Sequence, residues 1–353
     1  MKIKKIIIMA GGTYGHIFPG LEIAKSLINK GWKVFWLGTA NNLEAKLIPK
    51  YGIPIKFINM SGIRGKNFFN LITMPLKIIN ACYQAKLIIK DINPDVILGM
   101  GNYISFPGGI ISYLYKKPLI IHEQNRILGL ANKILSKFST INMQAFPNTI
   151  LTSKTITVGN PIRRSISSLQ PPYYRFKNRS GPLKVLVLGG SQGAEIFNRT
   201  FPKVAIILKN KIKIWHQVGK KNFNKVFKNK NLNNVNYKIT SFIKNMSQAY
   251  HWADVIVCRA GALTVSEIQY IGLPAIFVPF PHKDKHQYWN ALPLKKKGGA
   301  KIIMQSHFNE DTIITIINNL NRKKLIFMAQ NLYSNFKIDS IKKITQSIEK
   351  IVS

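Results

Sequence analysis

Apolar residues in this chain come in short unbroken runs that stop abruptly at glycine or at a knot of polar side chains. In the first half the runs are "KKIIIMAGG", "WKVFWLG", "PDVILGMG" and "PLIIHEQN"; in the second they are "LKVLVLGG", "IKIWHQVG", "ADVIVC" and "LPAIFVPF". A strand with one solvated face alternates apolar and polar positions. A run that is apolar throughout is instead a strand covered on both faces, as in a parallel sheet. Between the runs lie stretches with apolar residues at helical spacing, "LEIAKSLINKG" being the first. Strands alternating with helices in this way predict doubly wound α/β structure.

The pattern also repeats. "KKIIIMAGGTYGH" has its counterpart in "LKVLVLGGSQGAE": a strand that ends in Gly-Gly, then a hydroxyl residue, then a further glycine. A second echo pairs "PDVILGMGNY", Pro94–Tyr103, with "ADVIVCRAGALT", Ala253–Thr264, each a strand preceded by aspartate and followed by a glycine-bearing turn. At 353 residues the chain is too long for one ordinary core, and the repeat predicts two similar domains. The connector "VGNPIRRS" with "LQPPYYRFKNRSGP" divides them. The expected domains are 1–160 and 161–338, with a terminal helix over 339–353 that packs back on the first. The lysine-flanked run Ile3–Ala10 is cut short by Gly11 and Gly12, so it reads as a buried strand and not as a signal peptide. No run approaches the ~18 apolar residues of a membrane span. The expectation is an intracellular protein that does not cross a bilayer.

Charge changes the picture less than its size suggests. The chain has 52 Lys and Arg against 13 Asp and Glu, a formal net charge of +39. Such an excess fits nucleic acid, an anionic membrane face or an anionic substrate. Here it is almost all lysine, dispersed among Asn and Ile, as AT-rich codon drift produces, and no arginine-rich arm or nucleic-acid motif appears; no nucleic-acid partner is expected. Cys82 and Cys258 stand far apart and suggest neither a disulfide framework nor a metal site.

Candidate chemistry gathers where strands end. Neither glycine turn has the G-K-[ST] ending of a Walker A loop or a full dinucleotide fingerprint. Both do sit at the carboxyl end of a first parallel strand, where N–H groups at the next helix start suit an anion. His16 stands at the first such helix start, a position that should favour a neutral imidazole and so a base; the bland alternative is a histidine that merely caps or packs. "HEQN" puts His122, Glu123, Gln124 and Asn125 together at another strand end, or on an exposed loop. In "GALTVSE", Thr264 and Glu267 match a capping box, while Glu267 could equally accept a ribose's paired hydroxyls. "HKDKHQYWNA" supplies Asp284, His286, Gln287 and Asn290. His282 and His286 have a spacing that zinc ligands use, but without a third ligand nearby and with Lys283 and Lys285 between them no metal site is expected. Around "NFFNLITMPLKIINACYQAKLIIKD", Phe68, Phe69, Leu71, Ile72, Met74, Leu76 and Ile79, with Lys66, Lys77 and Lys86, form either a core helix or an apolar patch rimmed with lysine for anionic lipid.

"GGTYGHIFPG", "WLGT", "KPLIIHEQN", "VGNPIR", "LGGSQGA", "CRAGALTVSE" and "PFPHKDKHQYWNALPL" together, in this order over nearly the full chain, resemble the bacterial peptidoglycan N-acetylglucosaminyltransferases, the MurG family. The resemblance implies two Rossmann-like domains facing a cleft, the GT-B architecture. It implies inverting transfer of N-acetylglucosamine from UDP-N-acetylglucosamine to the 4-hydroxyl of MurNAc in undecaprenyl-pyrophosphoryl-MurNAc-pentapeptide (lipid I), giving lipid II. The implied location is peripheral, on the cytoplasmic face of the bacterial inner membrane. Lipid I, anionic phospholipids and other cell-wall synthesis proteins are the implied partners, with no tightly bound cofactor and no metal needed for chemistry. By this resemblance Thr13, Tyr14, Gly15, Asn125, Arg163, Ser191, Ile243, Ala262, Leu263, Thr264, Val265, Ser266, Glu267 and Gln287 hold the donor. Ile243 would do so through its backbone, Arg163 and Ser191 at the phosphates, and Glu267 on the ribose. His16 is similar to the family's candidate base, with Glu123 as its rival, and Asn102 and Tyr103 lie toward the acceptor. Tyr14, Asn102, Phe106 and His286 depart from the family's usual residues, and Tyr14 would be strained if its φ were positive.

Overall fold

The computed structural model describes residues 3–61, 73–227, 235–333 and 338–352. The chain divides into two compact units, Met1–Ile162 with Ile338–Ser353, and Arg163–Lys337.

Unit 1 holds β1 (Lys5–Met9), β2 (Lys33–Gly38), β3 (Ile55–Phe57), β4 (Val96–Gly99), β5 (Leu119–Glu123), β6 (Ile141–Gln144) and β7 (Thr155–Thr157), in the order β3-β2-β1-β4-β5-β6-β7. Every neighbouring pair is parallel. Successive side chains of β1 enter opposite layers, as a strand's period of two requires. Ile6 and Ile8 pack with Leu21, Trp36 and Ile344, whereas Ile7 and Met9 pack with Ile89, Ile97 and Ile104. The C-terminal helix Ser340–Val352 lies against the helix Tyr14–Ile28, burying Ile344 and Ile348 completely.

Unit 2 holds β8 (Leu183–Leu188), β9 (Ile212–Gln217), β10 (Tyr237–Thr240), β11 (Val255–Cys258), β12 (Ala275–Phe277) and β13 (Ala300–Ile302), in the order β10-β9-β8-β11-β12-β13. These pairs too are all parallel. Unit 2 therefore runs 3-2-1-4-5-6 in its own count, the Rossmann order, and unit 1 runs the same order with β7 added as a seventh strand beside β6.

This topology explains the repeated aspartates. Asp95 and Asp254 each precede the strand that pairs with the unit's first strand. The N–H of Lys5 donates to Asp95 Oδ2 at 2.7 Å, and that of Lys184 to Asp254 Oδ2 at 2.9 Å. Asp254, fully buried, also takes Arg179 at 2.6 Å and Arg322 at 3.1 Å. In both sheets the strand order reverses between these partners, β1 and β4 or β8 and β11. Sheets of this kind bind ligands outside the carboxyl ends of the strands at such a reversal. All four glycine-bearing motifs end at one of those two points.

No helix among the described residues is long and apolar enough to cross a membrane. The helix Met74–Ile92 buries Met74, Ala81, Ala85, Ile89 and Ile92, so Met74 belongs to the core and not to a surface patch. Leu76, Ile79, Tyr83 and Leu87 are exposed at helical spacing, with Lys86 and Lys90 exposed beside them. Lys66, Phe68, Phe69, Leu71 and Ile72 lie outside the described residues.

Candidate active site

In unit 1 the chain leaves β1, turns through Gly11 and Gly12, and enters the helix at Tyr14. A side chain at Gly11 would collide with Glu44 and Ile104, and Gly12 has φ +79°. Glu44 is fully buried and ties the turn to the end of β2. Its carboxylate accepts from the N–H of Gly12 at 3.0 Å, and from the N–H and hydroxyl of Thr39 at 3.1 and 2.7 Å. Nothing in the sequence pattern of "NNLEAKL" had marked this residue. Thr13 is the N-cap but its side chain caps nothing; the N–H of His16 reaches the Thr13 carbonyl at 3.1 Å, which leaves those of Tyr14 and Gly15 as the open donors of the helix start. Tyr14 is the first helical residue and is not among the positive-φ positions, so the strain considered for it is absent; its ring stacks on Phe18 at 5.1 Å. Asn102 does adopt φ +68°, where asparagine is tolerated. Its Nδ2 donates to the Gly11 carbonyl at 3.1 Å and its Oδ1 accepts from the N–H of Tyr103 at 2.7 Å. Both acceptor-side candidates thus stand against the first glycine turn. Phe106 packs in the core layer that includes Met9.

His16 is the end of a hydrogen-bonded chain. Its Nδ1 lies 3.0 Å from the Met100 carbonyl and 3.1 Å from Gln124 Oε1. The Gln124 amide nitrogen lies 3.1 Å from His122 Nδ1, and His122 Nε2 lies 3.0 Å from the Gly159 carbonyl. Carbonyl oxygens only accept, so the protons sit on His16 Nδ1 and His122 Nε2. In the neutral form of His16 this tautomer leaves Nε2 as the nitrogen with the lone pair. Burial pushes the His122 pKa down to about 4, against the opposing bond to Gly159, and the nearby His16 lowers it further. Gly101, at φ +82°, comes close: a Cβ there would lie 3.7 Å from both Gln124 Oε1 and His16 Cε1.

Glu123 is placed otherwise than a rival base needs. It is 3% exposed, and each carboxylate oxygen is doubly engaged. Oε1 accepts from the N–H and side chain of Asn125 at 3.0 and 3.3 Å. Oε2 accepts from the N–H of Gly129 at 3.1 Å and from Asn132 at 2.9 Å. Glu123 is the hub of this turn, and Asn125 is turned toward it.

In unit 2, the turn after β8 is built differently. Gly190 and Gly193 have φ +83° and +77°, and the helix begins only at Glu195. A Cβ at Gly193 would overlap the Val218 carbonyl, and one at Gly219 would overlap that of Gln192. Ser191 sits at the tip of this turn, partly exposed. Gln217 pins the arrangement: its amide nitrogen donates to the Gly190 carbonyl at 2.8 Å, and its Oε1 accepts the Ile243 N–H at 2.7 Å. Only the carbonyl of Ile243 thus remains to meet a base, a restriction on its expected backbone role.

The helix Ala262–Ile271 starts at Gly261 with no side-chain cap, which leaves the N–H groups of Ala262, Leu263 and Thr264 without an internal acceptor. The capping box does not form. Glu267, nearly buried, instead accepts from Arg163 Nε and Nη2 at 3.3 and 2.9 Å and from the Tyr250 hydroxyl at 2.8 Å. Val265 is fully buried, so its side chain belongs to packing and not to a donor site; Ser266 is partly exposed. Gln287 Oε1 bridges the N–H groups of Ala260 and Phe280 at 3.1 and 2.9 Å, joining the turns after β11 and β12 and leaving its Nε2 to offer. The third group absent from the histidine spacing turns out to be Asp284, whose Oδ1 meets His282 Nδ1 at 2.8 Å and His286 Nδ1 at 2.7 Å.

Residues 6–143 match the glycosyltransferase family 28 N-terminal domain, and residues 184–348 match its C-terminal domain. The UDP-N-acetylglucosamine–N-acetylmuramyl-(pentapeptide) pyrophosphoryl-undecaprenol N-acetylglucosamine transferase of Buchnera aphidicola subsp. Baizongia pistaciae is 72% identical over 351 residues, 99% of each chain. The chain belongs to glycosyltransferase family 28. A crystal structure of MurG from Acinetobacter baumannii is similar at a TM-score of 0.85 and 34% identity, covering 98% of this chain and 99% of that one. A putative UDP-N-acetylglucosamine 2-epimerase from Listeria monocytogenes is similar at a TM-score of 0.65 and 12% identity, over 99% of this chain and 96% of that one. At that identity the likeness shows the fold alone. Family 28 membership, not the fold, separates a transferase from an epimerase.

Proposed function

We propose that this family 28 glycosyltransferase transfers N-acetylglucosamine from UDP-N-acetylglucosamine to the 4-hydroxyl of MurNAc in lipid I, with inversion, giving lipid II. The name of the 72% identical relative gives the transferred sugar and the acceptor lipid; the 4-hydroxyl and the inversion are part of our reading. The observation that supports the mechanism is the hydrogen-bonded chain from His16 Nδ1 through Gln124 and His122, which ends on the carbonyls of Met100 and Gly159 and holds the ring so that its neutral form offers Nε2. Deprotonating a sugar hydroxyl takes such a base within ~3 Å of the oxygen. UDP is a good leaving group, so the remaining task is to stabilise negative charge on its pyrophosphate. The uncapped N–H groups of Ala262, Leu263 and Thr264 and the guanidinium of Arg163 do this in our reading, with no metal in the step. Since Arg163 and Glu267 form one ion pair, a ribose that engages Glu267 brings its phosphates beside Arg163. Thr13, Gly15, Ser191 and the Gln287 amide complete the donor contacts, and Asn102 and Tyr103 face the acceptor.

Lipid I is membrane-bound, and in our reading the protein docks on anionic phospholipid at the cytoplasmic face; the exposed stripe Leu76, Ile79, Tyr83 and Leu87 with its lysines is what supports docking on such a surface. UDP release measured with and without lipid I tests the whole reading. Release should require lipid I and stop when the acceptor 4-hydroxyl is removed. Equal release with either acceptor, or none with lipid I, would overturn it.

A further inference from the structure

We propose that His282, Asp284 and His286 form a site for a divalent transition-metal ion of the zinc class, on the loop that leads into Gln287. His286 is the first residue of the helix His286–Lys296, so one turn of chain brings all three side chains together. Both imidazoles aim Nδ1 at the same carboxylate oxygen, with ring centroids 5.1 Å apart, and the three ligand-type atoms all lie within 4.8 Å of one another. Zinc holds nitrogen and oxygen ligands at about 2.0–2.2 Å, which in a tetrahedron spaces them roughly 3.3 Å apart. Opening the present contacts of 2.8 and 2.7 Å by about half an ångström therefore makes room for the ion. Each neutral imidazole would carry its proton on Nε2 and offer Nδ1, so the ligand set of two nitrogens and one carboxylate keeps a single negative charge. Side-chain exposures of 30%, 31% and 27% give the ion a way in and let water complete its shell.

Two imidazoles select zinc, copper, nickel or cobalt over magnesium and calcium. Lys283, Lys285 and the helix N-terminus oppose a cation, which makes this an exchangeable micromolar site and not a permanent structural one. The Gln287 side chain closes the same loop through the Phe280 N–H, so the ion would stiffen the segment that positions Gln287. The site itself stands whether or not the transferase reading does.

The test is zinc titration of the full, chelator-treated chain by calorimetry, with cobalt absorption as a geometric probe. We expect one zinc per chain with a micromolar Kd. His286→Gln and Asp284→Asn should each weaken binding by about 10-fold or more, the usual scale for damaging such a site. The circular dichroism of both variants should match the parent's. Unchanged affinity in His286→Gln, or no zinc bound below millimolar concentration, would overturn the proposal. If Asp284→Asn fails to fold, His286→Gln decides alone.

Discussion

The turn after β1 and the turn after β8 share a glycine pair, a hydroxyl residue and a third glycine, yet the chain uses these residues differently in each. In the first, glycine makes room for side chains: Glu44 and Ile104 press on Gly11, and Asn102 on Gly12. The helix begins directly at Tyr14, and its third residue, His16, enters a relay of polar side chains. In the second, glycine lets backbone lie on backbone, with Gly193 against Val218 and Gly219 against Gln192. The turn offers little side-chain chemistry of its own. What unit 2 offers instead comes from the uncapped start of Ala262–Ile271 and from the Arg163–Glu267–Tyr250 cluster. The same short motif is thus compatible with presenting a base or with presenting a backbone, and the contacts around it decide which.

The largest effect should come from removing the base. His16→Ala is expected to lower kcat by roughly 10²–10⁴, the usual size of a general-base contribution, while UDP binding measured by calorimetry stays as in the parent. The acidic limb of the pH–rate profile should flatten in the same variant. A kcat within about threefold of the parent would remove the functional contrast between the two turns, because neither would then carry chemistry.

Each unit also buries one neutral histidine, and acid should find both. The His122 pKa is lowered to about 4 and that of His216 to about 3, burial being the first cause in each. An unfolded histidine titrates near 6.5, so below that value the unfolded chain binds more protons and stability falls with pH. The loss from His122 is complete only below pH 4 and amounts to roughly 3 kcal/mol; that from His216 runs on to pH 3 and reaches roughly 5 kcal/mol. Hydrogen exchange in β5 and β9 between pH 7 and 4 should report the two losses separately. His122→Asn should flatten the acid slope in unit 1 and leave that of unit 2. An unchanged slope in β5 would show that burial of His122 is not what acid attacks.

Gly193→Ala should break unit 2's turn. The new Cβ would overlap the Val218 carbonyl at a residue held at φ +77°. Left-handed strain alone costs about 1–3 kcal/mol, and the backbone must also shift. Unit 2 should lose more than about 2 kcal/mol by urea unfolding, while the protection of unit 1 amides does not change. A variant as stable as the parent would mean the turn can open, and the contrast with unit 1 would fail.

The sheets were legible because a parallel strand advertises itself: each unbroken apolar run became a covered strand, and the four glycine-bearing motifs became neighbours through strand order. Residues that work through tertiary meetings were not legible. Glu44 looks like a surface acid in "NNLEAKL" and is buried only because β1 and β2 bring Gly12 and Thr39 to it. Tyr250 gives no local sign of its bond to Glu267. Thr264 and Glu267 fit a capping box locally, but a guanidinium and a phenol outcompeted the helix end. Asp284 was read beside the two histidines but not as their partner, because spacing alone does not show that both rings turn to one carboxylate oxygen. Glu123 stood out in the sequence as a rival base, but its position alone could not show that donors from Asn125, Gly129 and Asn132 fill its carboxylate.

The smallest effect is the finest test of the comparison, because it asks what the third glycine of the first turn is for. Gly15 is the second residue of its helix, and its φ lies outside the left-handed range. A Cβ added there would meet only Thr13 Oγ1, at an ordinary contact of 3.6 Å. Nothing in the fold demands glycine, in contrast to Gly193. Gly15→Ala should therefore stabilise unit 1 by roughly 0.5–1 kcal/mol, because alanine gives up less backbone freedom in a helix. For a unit of this size the melting temperature should rise by about 1–4 °C. If the donor approaches this helix start as proposed, the same methyl group should raise the UDP-N-acetylglucosamine KM severalfold while kcat changes little. Higher stability with poorer donor use would identify a glycine kept for a ligand's approach. A lower melting temperature would instead assign Gly15 to the fold and make the two turns alike.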